Sequence, residues 1–164
     1  MRHHARRSVI LLAGAALLAA CGAPRRARLS TSETRAADPP LHPNETPALR
    51  RLINRWADLY GVPRSLVHRL AIRESTHRPG ARNGPYYGLL QIHPQTARTM
   101  GFRGPPGALL DAETNLKYAV KYLRGAYIVA EGDADAAIAW YARGYYYEAK
   151  RKGLLVETGL RPGG

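Results

Sequence analysis

One carboxylate stands apart in residues 70 to 96, LAIRESTHRPGARNGPYYGLLQIHPQT. Glu74 is the only Asp or Glu between Asp58 and Asp111. Leu66, Val67, Leu70 and Ala71 recur at the steps that stack side chains on one helix face, and Glu74 follows a turn later on that stripe. A carboxylate on an apolar face loses hydration, which disfavours its charged form and raises its pKa. It then stays protonated nearer neutral pH, the state needed to protonate a glycosidic oxygen. The amide of Gln91 and ten tyrosines complete the set. Such a set suits sugar, because Tyr offers a flat face to a sugar ring as well as a hydroxyl.

Other chemistries lack their residues. No HExxH occurs, and His68, His77 and His93 sit among residues that supply no companion ligands, so neither a metal nor a cofactor is expected. No GxSxG elbow and no phosphate-cradling Gly loop is present.

The elements that must position Glu74 read as helices. Pro47 suits a first helical turn, and Leu49, Leu52, Ile53, Trp56, Leu59 and Tyr60 form an amphipathic stripe that ends at Gly61. Trp56 belongs to the core on this reading. Pro63 opens a second helix, which carries Glu74 and stops before Pro79. Residues 78 to 90 read as a loop or short hairpin, punctuated by Pro79, Gly80, Asn83, Gly84 and Pro85. A short helix runs from Pro94 to before Gly101, and Asp111 caps a longer one whose Leu116, Ala119, Val120, Leu123 and Tyr127 share a face up to Gly132. The last helix starts near Asp133 or Asp135 and runs to Gly153. With no repeat and no sustained strand pattern, the domain is expected to be mainly α, with about five helices.

The ends read differently. Residues 1–20 have the form of a signal peptide, with Arg2, Arg6 and Arg7 ahead of an apolar run from Ser8 to Ala20. Cys21 is the only cysteine, so it has no internal disulfide partner. Residues 21–46 contain Pro24, Pro39, Pro40 and Pro43 without an apolar period and read as a tether. Residues 47–152 hold the domain, and 153–164 read as a tail.

The formal charge is +13, and without the three arginines of the signal segment it is +13 − 3 = +10. Export argues against nucleic acid as the attraction. Anionic lipid or an acidic wall polymer remains, although the basic residues are scattered and give a weakly attractive, solvated surface rather than a patch.

Around Cys21 the residues LAAC resemble the lipobox of bacterial lipoproteins, in which cleavage leaves the cysteine as a lipidated first residue. That resemblance implies a periplasmic protein held at a membrane by acyl chains, and Gly22 resembles the pattern sent to the outer rather than the inner membrane. Glu74 with Ser75, then Gln91 in GLLQIHPQTA, LLDAETNLKYAVKYL with Asn115, and the Tyr-rich last helix closely resemble the catalytic domain of the soluble lytic transglycosylase family. The resemblance covers about residues 47 to 150.

It implies a goose-type lysozyme-like fold with an active-site cleft, and peptidoglycan glycan strands as the partner. By the same resemblance Glu74 acts as general acid and then general base, Gln91 lines the saccharide cleft, and Thr96 in PQTA forms part of the same wall. Tyr141, in WYARG, falls where the family has AYNxG, so its hydroxyl is expected to approach Glu74. On the residues alone, Thr96 could equally face solvent and Tyr141 could be a core aromatic. Two departures concern the cleft. Ala142 replaces the family's Asn, and RNGPYY replaces its Ser and Gly-Ala turn, with Asn83 as a substitute polar group and Tyr86 and Tyr87 as a reshaped floor. The expected reaction gives 1,6-anhydromuramic ends. The alternatives are a muramidase that adds water, and a catalytically weak wall-binding lipoprotein that serves an envelope assembly.

Overall fold

The computed structural model describes residues 39–162 of the chain. The signal segment, Cys21 and most of the expected tether lie outside the described residues. Six α-helices, a short 3-10 helix and one two-residue hairpin make up the described part, so the domain is mainly α.

Helix α1 spans Pro47–Tyr60, with Pro at its start and the Thr46 hydroxyl accepting the Leu49 N–H at 3.1 Å. Gly61 closes it with φ 63°, a left-handed conformation that suits a residue without a Cβ. Leu49, Ile53 and Trp56 face the core as expected, and Ala57 joins them. Leu59 does not and is 66% exposed. It lies six residues past Ile53, about 240° around the helix.

Helix α2, Arg64–Ser75, buries Leu66, Val67, Leu70, Ala71 and Ser75. The hairpin pairs β1, Arg82–Asn83, with β2, Tyr86–Tyr87, and places Asn83 opposite Tyr86. Helix α3, Pro94–Thr99, and the 3-10 helix, Pro106–Leu110, lead to α4, Ala112–Val129. Asp111 caps α4 by accepting the Thr114 N–H at 2.8 Å. Helix α4 is the axis of the domain, packed against α1, α3, the 3-10 helix and α5. Leu116, Ala119, Val120, Leu123 and Ala126 on it are wholly buried.

The expected last helix is two helices. α5 runs Ala134–Arg143 and α6 runs Tyr146–Arg151. Gly144 takes φ 84° and ψ 147°, which no right-handed helix contains. The break lets Tyr145 turn inward, where it is 1% exposed and donates its hydroxyl to the Tyr122 carbonyl at 2.8 Å. A Cβ at Gly125 would collide with that hydroxyl, so Tyr145 and Gly125 fit as a pair.

Both boundary readings need amendment. Residues 39 to 46 were read as tether, yet the Glu45 side chain is fully buried and the Arg50 guanidinium bonds the carbonyls of Pro39 and Pro40. Residues 153 to 160 were read as tail, yet Leu154, Leu155 and Leu160 pack on the core and Thr158 is 2% exposed. Neither segment has a helical or alternating period, because each contributes isolated anchors rather than a repeating face.

Candidate active site

The site is built around the segment Gly88 to Gln91, which three helices hold by its backbone. From the end of α2, the Ser75 hydroxyl donates to the Leu89 carbonyl at 2.7 Å. From α4, the Asn115 side chain accepts the Leu90 N–H at 2.9 Å and donates to the carbonyls of Tyr87 at 2.8 Å and Leu109 at 2.9 Å. From α5, the Tyr141 hydroxyl donates to the Leu90 carbonyl at 2.8 Å. Leu89, Leu90 and Asn115 are fully buried, where an unpaired polar group is costly. Gly88 is required at its position: it has φ 76°, and a Cβ would meet the Leu109 carbonyl and the Asn115 amide.

This anchoring presents Gln91, which has φ 45° and is 7% exposed. Its amide nitrogen donates to the carbonyls of Gly88 at 2.8 Å and Ala81 at 3.1 Å. The Gln91 Oε1 is buried without a partner among the described residues.

Glu74 sits in the last turn of α2, at the lip of the buried stripe rather than on it. Ser75 is the member that goes fully inside, whereas the Glu74 side chain keeps 21% exposure. Burial raises its pKa, and the positive charge of Arg73, with Nε 3.5 Å from the carboxylate, partly opposes that rise. Glu74 opens onto a cavity of about 300 Å³ lined also by Arg73, Asn83, Tyr86, Gln91, Tyr141 and Ala142. A second cavity of about 250 Å³ shares Tyr86, Gln91, Tyr141 and Ala142 and continues past His93 and Thr96 to Arg143 and Gly144. The shared lining makes the two one groove. Glu74 is the sole carboxylate among the described residues that line it.

The structure therefore brings Glu74, Asn83, Tyr86, Gln91, Thr96 and Tyr141 to one groove. Two details differ from expectation. The Tyr141 hydroxyl gives its proton to Leu90 rather than to Glu74, although the Glu74 charge is near enough to raise the Tyr141 pKa beyond what burial does. Only Tyr86 of the tyrosine pair lines the groove, with its ring edge against His93 at 5.9 Å between centroids. Tyr87, next along the strand, lies under the Arg82 guanidinium at 4.7 Å. Ala142 touches both cavities, so the small side chain widens their junction. Arg73, His93 and Arg143 also line the groove, and of the three only Arg73 carries a signal in the sequence, its adjacency to Glu74.

The histidines do not all stay apart. His68 and His77 converge with Glu45 on the far side of α2's end, with the three ligand atoms within 4.8 Å of one another. No spacing rule finds this group, since Glu45 comes from the segment read as tether.

No solved structure matches the chain. The family described as transglycosylase SLT domain matches residues 51–153, a span that contains Glu74, the Gly88 to Gln91 segment, Asn115 and Tyr141. By a match over more than half its length, and with the helical fold and groove just described, the chain belongs to the transglycosylase SLT domain family.

Proposed function

We propose that the protein is a lytic transglycosylase that cleaves the bond between N-acetylmuramic acid and N-acetylglucosamine in peptidoglycan without adding water. The family makes peptidoglycan glycan the substrate class. The observation that carries the finer reading is Glu74: a carboxyl group with a raised pKa, and the groove's only one among the described lining residues.

Protonated Glu74 gives its proton to the glycosidic oxygen as the bond from muramic acid C1 breaks. The resulting carboxylate then takes the proton of the attacking hydroxyl, which returns the enzyme to its starting state. Most glycoside hydrolases place a second carboxylate about 5 to 9.5 Å from the first, to act as nucleophile or to activate water. Without one, a tethered attacker has the advantage over water, since its translational entropy is already lost. The C6 hydroxyl of the same muramic acid residue is that attacker, and the product is a 1,6-anhydromuramic end. Gln91 lines the saccharide wall of the groove beside Glu74, and Tyr86 supplies an exposed ring at its floor.

Digestion of purified sacculi in heavy-oxygen water decides the chemistry. Soluble fragments with anhydro ends and no solvent oxygen are expected. One solvent oxygen per cleavage would make the protein a muramidase, and no fragment release would make it a wall-binding accessory.

The enzyme acts in the periplasm from a lipid anchor at Cys21, at the outer membrane. The LAAC resemblance supports this. Cys21→Ser should leave an unprocessed or soluble form. Equal partitioning of mutant and wild type into detergent would end the anchoring idea.

A further inference from the structure

Away from the groove, three side chains from separate parts of the chain point at one volume. Glu45 comes from the segment before α1, His68 from the middle of α2, and His77 from two residues past the end of α2. The Glu45 side chain and His77 are fully buried, and the His68 side chain is 18% exposed. His68 Nδ1 lies 3.2 Å from His77 Nε2 and 3.5 Å from Glu45 Oε1.

We propose that Glu45 Oε1, His68 Nδ1 and His77 Nε2 form a binding site for a zinc-class divalent cation that clamps the segment before α1 to the helix carrying Glu74. Zinc binds His nitrogen and carboxylate oxygen at about 2.0 to 2.2 Å in tetrahedral geometry, so neighbouring ligand atoms stand about 3.3 to 3.5 Å apart. The two separations through His68, 3.2 and 3.5 Å, lie at or just below that spacing, and all three ligand atoms lie within 4.8 Å of one another. Two imidazoles and one carboxylate select zinc, cobalt or nickel over magnesium or calcium, which favour all-oxygen sets. The fourth position goes to water, reached along the exposed edge of His68.

Supporting contacts fit a ligand set. His68 Nε2 lies 3.1 Å from Asn54 Oδ1, an acceptor that fixes which nitrogen is left for the cation. Glu45 Oε2 is held by the His42 N–H at 2.9 Å and by Arg50 Nη2 at 2.6 Å, Arg50 Nε donates at 2.9 Å to Oε1, which has a further lone pair for the cation, and the His42 ring stacks on His77 at 5.1 Å. Arg50 also offsets the charge of Glu45, so the site binds more weakly than an unpaired carboxylate with two imidazoles would. His77 Nδ1 is buried without a partner among the described residues. Nothing on that side of the ring holds it, which leaves His77 Nε2 as its one polar attachment.

The backbone gives an independent reason for a clamp. Thr76 and His77 are consecutive non-glycine residues with φ 50° and 56°. Left-handed backbone is strained for residues with a Cβ and persists where surrounding contacts fix it. Asn44 already bonds the Thr76 carbonyl at 3.1 Å, and a bond from His77 to a cation would fix the next residue. Because His77 is three residues from Glu74, the clamp bears on the end of the helix that presents the acid.

The test uses the full chain, stripped with a chelator and titrated with cobalt(II), then with zinc. One cobalt per chain with the visible absorption of a tetrahedral site, displaced by zinc, is expected. Zinc but not magnesium should raise the melting temperature. His68→Gln and Glu45→Gln should each weaken binding more than Asn54→Ala, for which a loss of about 10- to 100-fold is expected for a residue that orients a ligand. Replacing His3 and His4 together, or His93 alone, should leave cobalt binding unchanged. The proposal is overturned if the wild-type chain gives neither the cobalt band nor a zinc-dependent melting shift. It is equally overturned if binding survives His68→Gln and Glu45→Gln undiminished, or is lost with His3 and His4.

Discussion

Glu74 carries opposite demands at the scale of one residue. Desolvation favours the protonated form that the first step needs, and the same desolvation makes its charged form a cost to the fold. Because its folded pKa is raised, the native state holds a proton that the unfolded state has released in the interval between the two pKa values. Stability from this residue is therefore present below the unfolded value and lost as pH rises through the folded one. Glu74→Gln should cut sacculus digestion by roughly 100- to 10,000-fold, the range for general acid-base catalysis. The same variant should melt higher than wild type at neutral pH, with the difference vanishing in acid. A melting temperature below wild type at pH 7 would contradict this account of the site.

Tyr141→Phe tests a different role. Its hydroxyl holds the Leu90 carbonyl, so the variant orphans a buried acceptor at a cost of about 1 to 3 kcal/mol. Activity should fall less than in Glu74→Gln, because the proton donor remains. An unchanged denaturation midpoint would show that the bond to Leu90 contributes little. Glu74 was legible from sequence because isolation and periodicity both marked it. The partner of Tyr141 was not legible, because a hydroxyl's acceptor depends on which backbone comes within reach after folding.

At the scale of elements, the groove depends on how α2, α4 and α5 grip one short segment. Asn115 makes three hydrogen bonds to the Tyr87 to Leu90 backbone and the 3-10 helix, those to Leu90 and Leu109 fully buried. Asn115→Ala leaves the buried Leu90 N–H and Leu109 carbonyl without this partner, while the Tyr87 carbonyl keeps the Ile92 N–H, and should cost about 2 kcal/mol or more by chemical denaturation. Digestion should fall too, since Gln91 loses its support. Gly88→Ala should be at least as damaging, because the added methyl meets Asn115 itself and the backbone is left-handed. If either variant kept wild-type stability, the segment would have to be held by other contacts. The helices themselves followed from Pro starts, Gly or Asp caps and apolar periods. The split at Gly144 did not, because Ala and Tyr on both sides favour a continuous reading and only the fit of Tyr145 against Gly125 decides otherwise.

The whole molecule is larger than its periodic part. The SLT match begins at residue 51, yet residues 39 to 46 supply contacts to α1 and to the end of α2. The basic surplus explains little of this. Arg55, Arg64, Arg69 and Arg151 pair with acids at the surface, where solvent and salt screen the attraction. The pair between Glu45 and Arg50 differs, with side chains 0% and 11% exposed and an Nη2 to Oε2 distance of 2.6 Å. Burial alone would raise the Glu45 pKa. The hydrogen bonds from Arg50 and the His42 N–H, with the charges of His68 and Arg50, overcome that and bring it to about 2. A chain beginning at Pro47 loses this pair, the bond from Asn44 to Thr76, and the Thr46 cap of α1. The cap alone is worth about 1 kcal/mol, which moves the midpoint of a domain this size by roughly 4 °C. The chain beginning at Pro47 should therefore melt several degrees below one beginning at Pro39, in metal-free buffer so that any bound cation does not enter the comparison. Identical melting curves would return residues 39 to 46 to the tether, as their proline content and lack of period first suggested.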